Sequence, residues 1–160
     1  MSTTYGMQFF NALICGLVLS VSGVMEATIF TDCGSKDVTV SAVSIIPCDG
    51  DPCPLIKGTN STIVIDFLAH EDIEPGNFRV LKTNVDGEFE VYALPPTDMC
   101  NHLTPGCPIQ AGMNYTYSFT DQVMMFFRPG ILDARWVLLD ANNQTFTCVE
   151  FPLDIKEPEN

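Results

Sequence analysis

The chain has 160 residues and a formal net charge of −13, from 20 acidic against 7 basic side chains. That length suits a single domain, and so acidic a surface excludes nucleic acid as a partner, because a duplex would repel it. An anionic membrane is disfavoured at neutral pH on the same ground, less so in an acidic compartment.

Phe9 to Leu19 form a near-continuous apolar run that gives way to the small residues Ser20, Ser22, Gly23 and Ala27. This pattern predicts a secretory signal peptide over residues 1–25, cut between residues 23 and 27. Its apolar core is short and ends in polar residues, which disfavours a membrane span. The expected location is extracellular, with lysosomal uptake as a further route.

Seven cysteines occur, and Cys15 leaves with the leader. Cys33, Cys48, Cys53, Cys100, Cys107 and Cys148 remain, an even number that in a short secreted chain predicts disulfides. Spacing leaves many pairings open. If the near neighbours Cys48 with Cys53 and Cys100 with Cys107 close locally, Cys33 joins Cys148. Zinc would compete for these thiols, but His70 and His102 stand in no metal-binding spacing with them.

From residue 28 onward, short β-rich stretches alternate with turn residues, which predicts an all-β sandwich or barrel. The expected strands are Val38–Ile45, Thr62–Leu68, Phe78–Lys82, Glu88–Tyr92, Asn114–Phe119, Val123–Phe127, Arg135–Leu139 and Thr145–Phe151. Between them lie glycine, proline and asparagine clusters such as Glu74-Pro75-Gly76-Asn77 and Arg128-Pro129-Gly130. Alternation turns Ile63, Ile65 and Phe67 to one face, and likewise Tyr115, Tyr117 and Phe119, and Ala134, Trp136 and Leu138. Val123–Phe127 is apolar on both faces and is read either as a central strand or as the border of an apolar opening. Asn60, Asn114 and Asn143 begin glycosylation sequons. Residues 156–160 form a polar tail.

Chemical machinery is sparse. His70 precedes Glu71 and Asp72 in a polar connection, and His102 lies inside the Cys100–Cys107 loop beside no evident nucleophile. No nucleophile elbow, zinc-protease motif or phosphate-binding glycine loop is present. Glu88 and Glu90 share a strand face, as solvent-exposed carboxylates commonly do. No enzyme activity, cofactor or metal is expected. Large apolar side chains are abundant instead, and two sheets about 10 Å apart leave an elongated slot if they splay. Such a slot suits acyl chains or flat sterols, at about 0.8 kcal/mol per buried methylene before association costs.

Ordered along the chain are Asp32-Cys33-Gly34-Ser35, Ile46-Pro47-Cys48, Asp51-Pro52-Cys53-Pro54-Leu55-Ile56-Lys57-Gly58, Val85-Asp86-Gly87, Cys107-Pro108-Ile109-Gln110-Ala111-Gly112, Trp136-Val137-Leu138-Leu139-Asp140 and Cys148-Val149-Glu150-Phe151-Pro152-Leu153. With these motifs and all six cysteines, residues 28–155 resemble the Niemann–Pick type C2 family of the lipid-recognition (ML) superfamily, which also contains the mite group 2 allergens. The resemblance implies an immunoglobulin-like sandwich of two antiparallel sheets with an apolar cavity between them. It also implies the pairs Cys33–Cys148, Cys48–Cys53 and Cys100–Cys107.

Phe67 matches a pocket aromatic of that family, Tyr117 a tyrosine near the entrance, and Trp136 the tryptophan of the penultimate strand. Tyr92 takes the place of the phenylalanine in the family's Pro-Phe-Pro entrance, here Val91-Tyr92-Ala93 followed by Leu94-Pro95-Pro96. The expected lining is Ile65, Phe67, Tyr92, Leu94, Tyr115, Tyr117, Phe119, Trp136 and Leu138. The function this implies is a secreted, non-catalytic carrier of a fatty acid or similar elongated ligand, including a semiochemical. Sterol binding and transfer is the alternative, as is a lipid-presenting accessory subunit of an innate-immune receptor. The partners are then a hydrophobic small molecule and a membrane receptor or transporter.

Overall fold

A computed structural model describes residues 27–92 and 98–159. The leader and Leu94, with its neighbours in the entrance segment, lie outside the described residues. Ten strands and one 3-10 turn form the described chain. They are β1 (Thr31–Asp32), β2 (Val38–Ile46), β3 (Cys53–Ile56), β4 (Asn60–Ala69), β5 (Pro75–Thr83), β6 (Phe89–Tyr92), the turn Met99–His102, β7 (Leu103–Thr104), β8 (Asn114–Gln122), β9 (Gly130–Asp140) and β10 (Thr145–Lys156). One sheet runs β2-β4-β8-β7. The other runs β1-β10-β9-β5-β6, with β3 also against β10.

Pairing is antiparallel throughout except for β3, which runs parallel to the end of β10. β1 pairs with Val149 and Glu150, and β3 begins at Leu153. Pro152, which has no N–H to donate, falls between those two short pairings. Gly76 stands where β5 passes close to β9: a Cβ there would lie 2.2 Å from the Asp140 carbonyl oxygen, a separation no side chain permits.

Two expectations need correction. Val123–Phe127 is no strand but a turn between β8 and β9: Val123 bonds to Gly58 and Thr59 of the loop before β4, and Arg128-Pro129-Gly130 follows. β1, β3 and β7 were not expected, because two to four residues are too few for alternation to show. β3 also reads as a turn because it contains Pro54, which an edge strand tolerates.

The inner faces of the sheets carry the alternating rows. Ile63, Ile65 and Phe67 are buried on β4, Tyr115, Tyr117 and Phe119 on β8, and Ala134, Trp136 and Leu138 on β9. All three disulfides form, as Cys33–Cys148, Cys48–Cys53 and Cys100–Cys107. The first ties the segment after β1 to β10 on the outer face of its sheet, where it packs with Val137, Leu139 and Leu81.

Candidate ligand cavity between the sheets

The strand register divides the interior into a packed end and an open end. At the packed end the β4–β8 pairs are Ile65 with Tyr117 and Phe67 with Tyr115, and the β5–β9 pair is Phe78 with Leu138. Aromatic rings fill this space. Phe67 stacks on Tyr115 at 5.8 Å and reaches Phe146 of the opposite sheet at 6.0 Å. Phe78 stacks on Trp136 at 5.7 Å and touches Phe119 at 5.0 Å.

Toward the other end the space between the sheets is not filled. Ile63 pairs with Phe119, Val80 with Trp136, and Phe151 with Ala134. A cavity of about 120 Å³ lies here. One sheet supplies Ile45, Ser61, Ile63, Phe119, Asp121 and Gln122. The other supplies Leu55, Val80, Leu81, Lys82, Tyr92, Leu132, Ala134, Trp136, Phe151, Leu153 and Ile155. Val123 and Phe127 of the β8–β9 turn complete the wall. The inward rows end in polar groups at the mouth: Ser61 on β4, Lys82 on β5 and Asp121 on β8.

Of the residues expected to line the cavity, Tyr92, Phe119 and Trp136 do so. Ile65, Phe67, Tyr115, Tyr117 and Leu138 lie on the right faces but two or four residues farther along the rows, inside the packed end. Alternation specifies which side of a sheet a residue faces, not how far along the sandwich packing is complete. Ile63 and Ala134 belonged to rows already recognised as inward. Lys82 and Asp121 went unnoticed because a charged residue does not look like the continuation of an apolar row.

The β8–β9 turn borders the opening, as one of the two sequence readings placed it. Val123 is buried and Phe127 half-buried, whereas Met125 and Phe126 are exposed. Tyr92 meets Phe127 at 5.2 Å across the mouth. The turn is held by Gly58: its amide donates to the Val123 carbonyl at 2.7 Å, and its own carbonyl accepts from Gln122 Nε2 at 2.8 Å. Gly58 has φ of +81°, and a Cβ there would approach Met125 Sδ to 3.3 Å. A second groove of about 410 Å³ adjoins the cavity through Lys82, Phe127 and Leu132, beside exposed Val85, Phe126 and Ile131.

Electrostatically the site is a dry wall with charges at its rim. Lys82 pairs with Glu90 across the β5–β6 ladder and lies 5.9 Å from the Phe127 ring. Burial, then the negative charge of Asp121, raises the Tyr92 phenol above its ordinary pKa. No arrangement for catalysis lines the cavity. His70 Nε2 lies 2.7 Å from Thr39 Oγ1 in an exposed pair, and His102 Nδ1 lies 3.1 Å from the Ser118 carbonyl. Among the described residues no group of His, Cys, Asp or Glu could hold a metal ion. No helix among them is long and apolar enough to cross a membrane. Asn60, Asn114 and Asn143 are all exposed.

A disulfide-stapled sandwich with an apolar slot between its sheets defines a module for binding hydrophobic small molecules. The family model described as ML domain matches residues 27–155, and the chain belongs to that family, whose members are lipid-binding carriers and not enzymes. It is 27% identical to the NPC intracellular cholesterol transporter 2 of Bos taurus, over 94% of this chain and 99% of the relative. It is 31% identical to the ecdysteroid-regulated 16 kDa protein of Manduca sexta, over 86% and 94% of the two chains. In fold it is similar to a Niemann–Pick type C2 protein from the Japanese carpenter ant, with a TM-score of 0.70 and 22% identity, covering 80% of this chain and 99% of that one.

Proposed function

We propose that this protein is a secreted carrier that holds one elongated hydrophobic molecule, of the size of a fatty acid, semiochemical or sterol, between its two sheets. The observation that carries this reading is the cavity, whose deep wall is aliphatic and aromatic while its polar side chains gather at the mouth. That distribution suits a ligand with a long apolar body and one small polar end. Three disulfides support an oxidising, extracellular setting. The cholesterol-transporter relatives favour a sterol as the second reading.

At about 120 Å³ the cavity is smaller than the roughly 300 Å³ at which drug-sized sites begin. A complete lipid is therefore accommodated by displacing Phe127 and Tyr92 at the mouth or by parting the sheets. The deciding experiment is mass spectrometry of lipids extracted from protein secreted by eukaryotic cells, followed by displacement of a fluorescent fatty acid and a fluorescent sterol. One stoichiometric lipid, displaced competitively, is expected. Protein that emerges empty and binds neither probe would mean that the cavity is merely imperfect core.

A further inference from the structure

The inward rows that build the cavity end at its mouth in two side chains of opposite charge, and the two are not equally available. Lys82, on β5, is engaged by Glu90, its cross-strand neighbour on β6. Asp121, on β8, sits opposite Ser61 of β4, and among the described residues its Oδ1 accepts the amide of the adjacent Gln122, at 2.8 Å. Among the described residues no cation pairs with it. The other side chains at the mouth, Tyr92, Gln122 and Phe127, carry no positive charge. Arg128 lies on the adjoining groove and not on the cavity wall. Lys82 and Asp121 are thus the two charges on the wall, and with Lys82 held by Glu90 from the adjoining groove, Asp121 is the one without an ion-pair partner among the described residues.

Building on the carrier reading, we propose that Asp121 selects the head group: the cavity takes neutral lipids that end in a hydroxyl and rejects ionised fatty acids. A carboxylate arriving at the mouth would lose hydration beside a like charge and would have to compete with Glu90 for Lys82. A hydroxyl in the same place donates a hydrogen bond to an ionised acceptor, the stronger kind of neutral-to-charged contact. Among the ligand classes under Proposed function, this favours long-chain alcohols and sterols over free acids.

The test compares two ligands of identical chain, oleic acid and oleyl alcohol. Both compete against the uncharged probe N-phenyl-1-naphthylamine, at neutral pH, low salt and ligand concentrations below micelle formation. The alcohol is expected to bind roughly tenfold more tightly than the acid, the scale of one partly screened charge repulsion at a protein surface. In Asp121→Asn the acid-to-alcohol ratio should shift severalfold toward the acid. Glu90→Gln, which frees Lys82, should shift it the same way by a separate route. Equal binding of acid and alcohol by the wild-type protein, or a ratio unmoved by Asp121→Asn, would overturn the selection while leaving the carrier intact. If neither ligand displaces the probe, the carrier reading fails together with it.

Discussion

Among the described residues Tyr117 is the largest side chain wholly closed from water, and within them neither its hydroxyl nor the indole nitrogen of nearby Trp136 has a hydrogen-bond partner. Burial pushes the phenol well above its ordinary pKa of 10, and the neighbouring Trp136 indole offsets part of the rise. An unsatisfied buried hydroxyl costs free energy that its removal recovers. Tyr117→Phe is therefore expected to leave stability unchanged or raise it by up to about 1 kcal/mol, measured by urea denaturation. The pH dependence has a definite sign. Above about pH 10 the unfolded chain loses a proton that the folded chain keeps, so unfolding becomes easier as pH rises. Tyr117→Phe should flatten that alkaline decline, and an equally steep decline in the variant would assign it to other groups.

The turn after β8 completes the wall at the cavity's opening. Val123 anchors this turn in the core, Phe127 closes the wall, and Gly58, in the loop between β3 and β4, bonds to the Val123 carbonyl and the Gln122 side chain. A side chain at Gly58 would meet both an unfavourable positive φ and the Met125 sulfur. Gly58→Ala is expected to cost about 1 kcal/mol or more in stability and to loosen the mouth. The accompanying measurement is the dissociation rate of a bound fluorescent lipid, which should rise. A stability loss with an unchanged rate would show that the turn does not gate the cavity. Sequence reading treated Val123–Phe127 as a strand because five consecutive apolar residues resemble a buried one. Its two-sided apolar character comes instead from a turn that faces the core on one side and the adjoining groove on the other.

At the scale of the chain as a whole, Cys33–Cys148 closes a loop of 115 residues, whereas the other two disulfides close loops of 5 and 7. If loop closure in the unfolded chain governs their effect, replacing Cys33 and Cys148 together by serine costs about 4–5 kcal/mol, and removing either local bridge costs about 2 kcal/mol. Equilibrium unfolding of the three double variants checks the order. Equal losses would point to distortion of the native state instead.

The sandwich class, the inward rows and the cysteine framework were legible because each is written locally: two-residue alternation, turn residues at intervals, and six cysteines after the expected leader. Recognition of a family resemblance then supplied the pairing that spacing had left open. The site was legible only in part. Tyr92, Phe119 and Trp136 lie on its wall, while Phe67, Tyr115 and Tyr117, on equally well recognised rows, fill the closed end. Which rings meet across the sandwich depends on the register of β4 against β8 and of β9 against β5 and β10, set by pairings far apart in sequence. For the same reason Lys82 and Asp121 become neighbours of one opening only once the two sheets are stacked. Periodicity along a strand assigns each side chain to a face; where packing stops and a cavity begins is a property of the volume between two sheets, which no single strand contains.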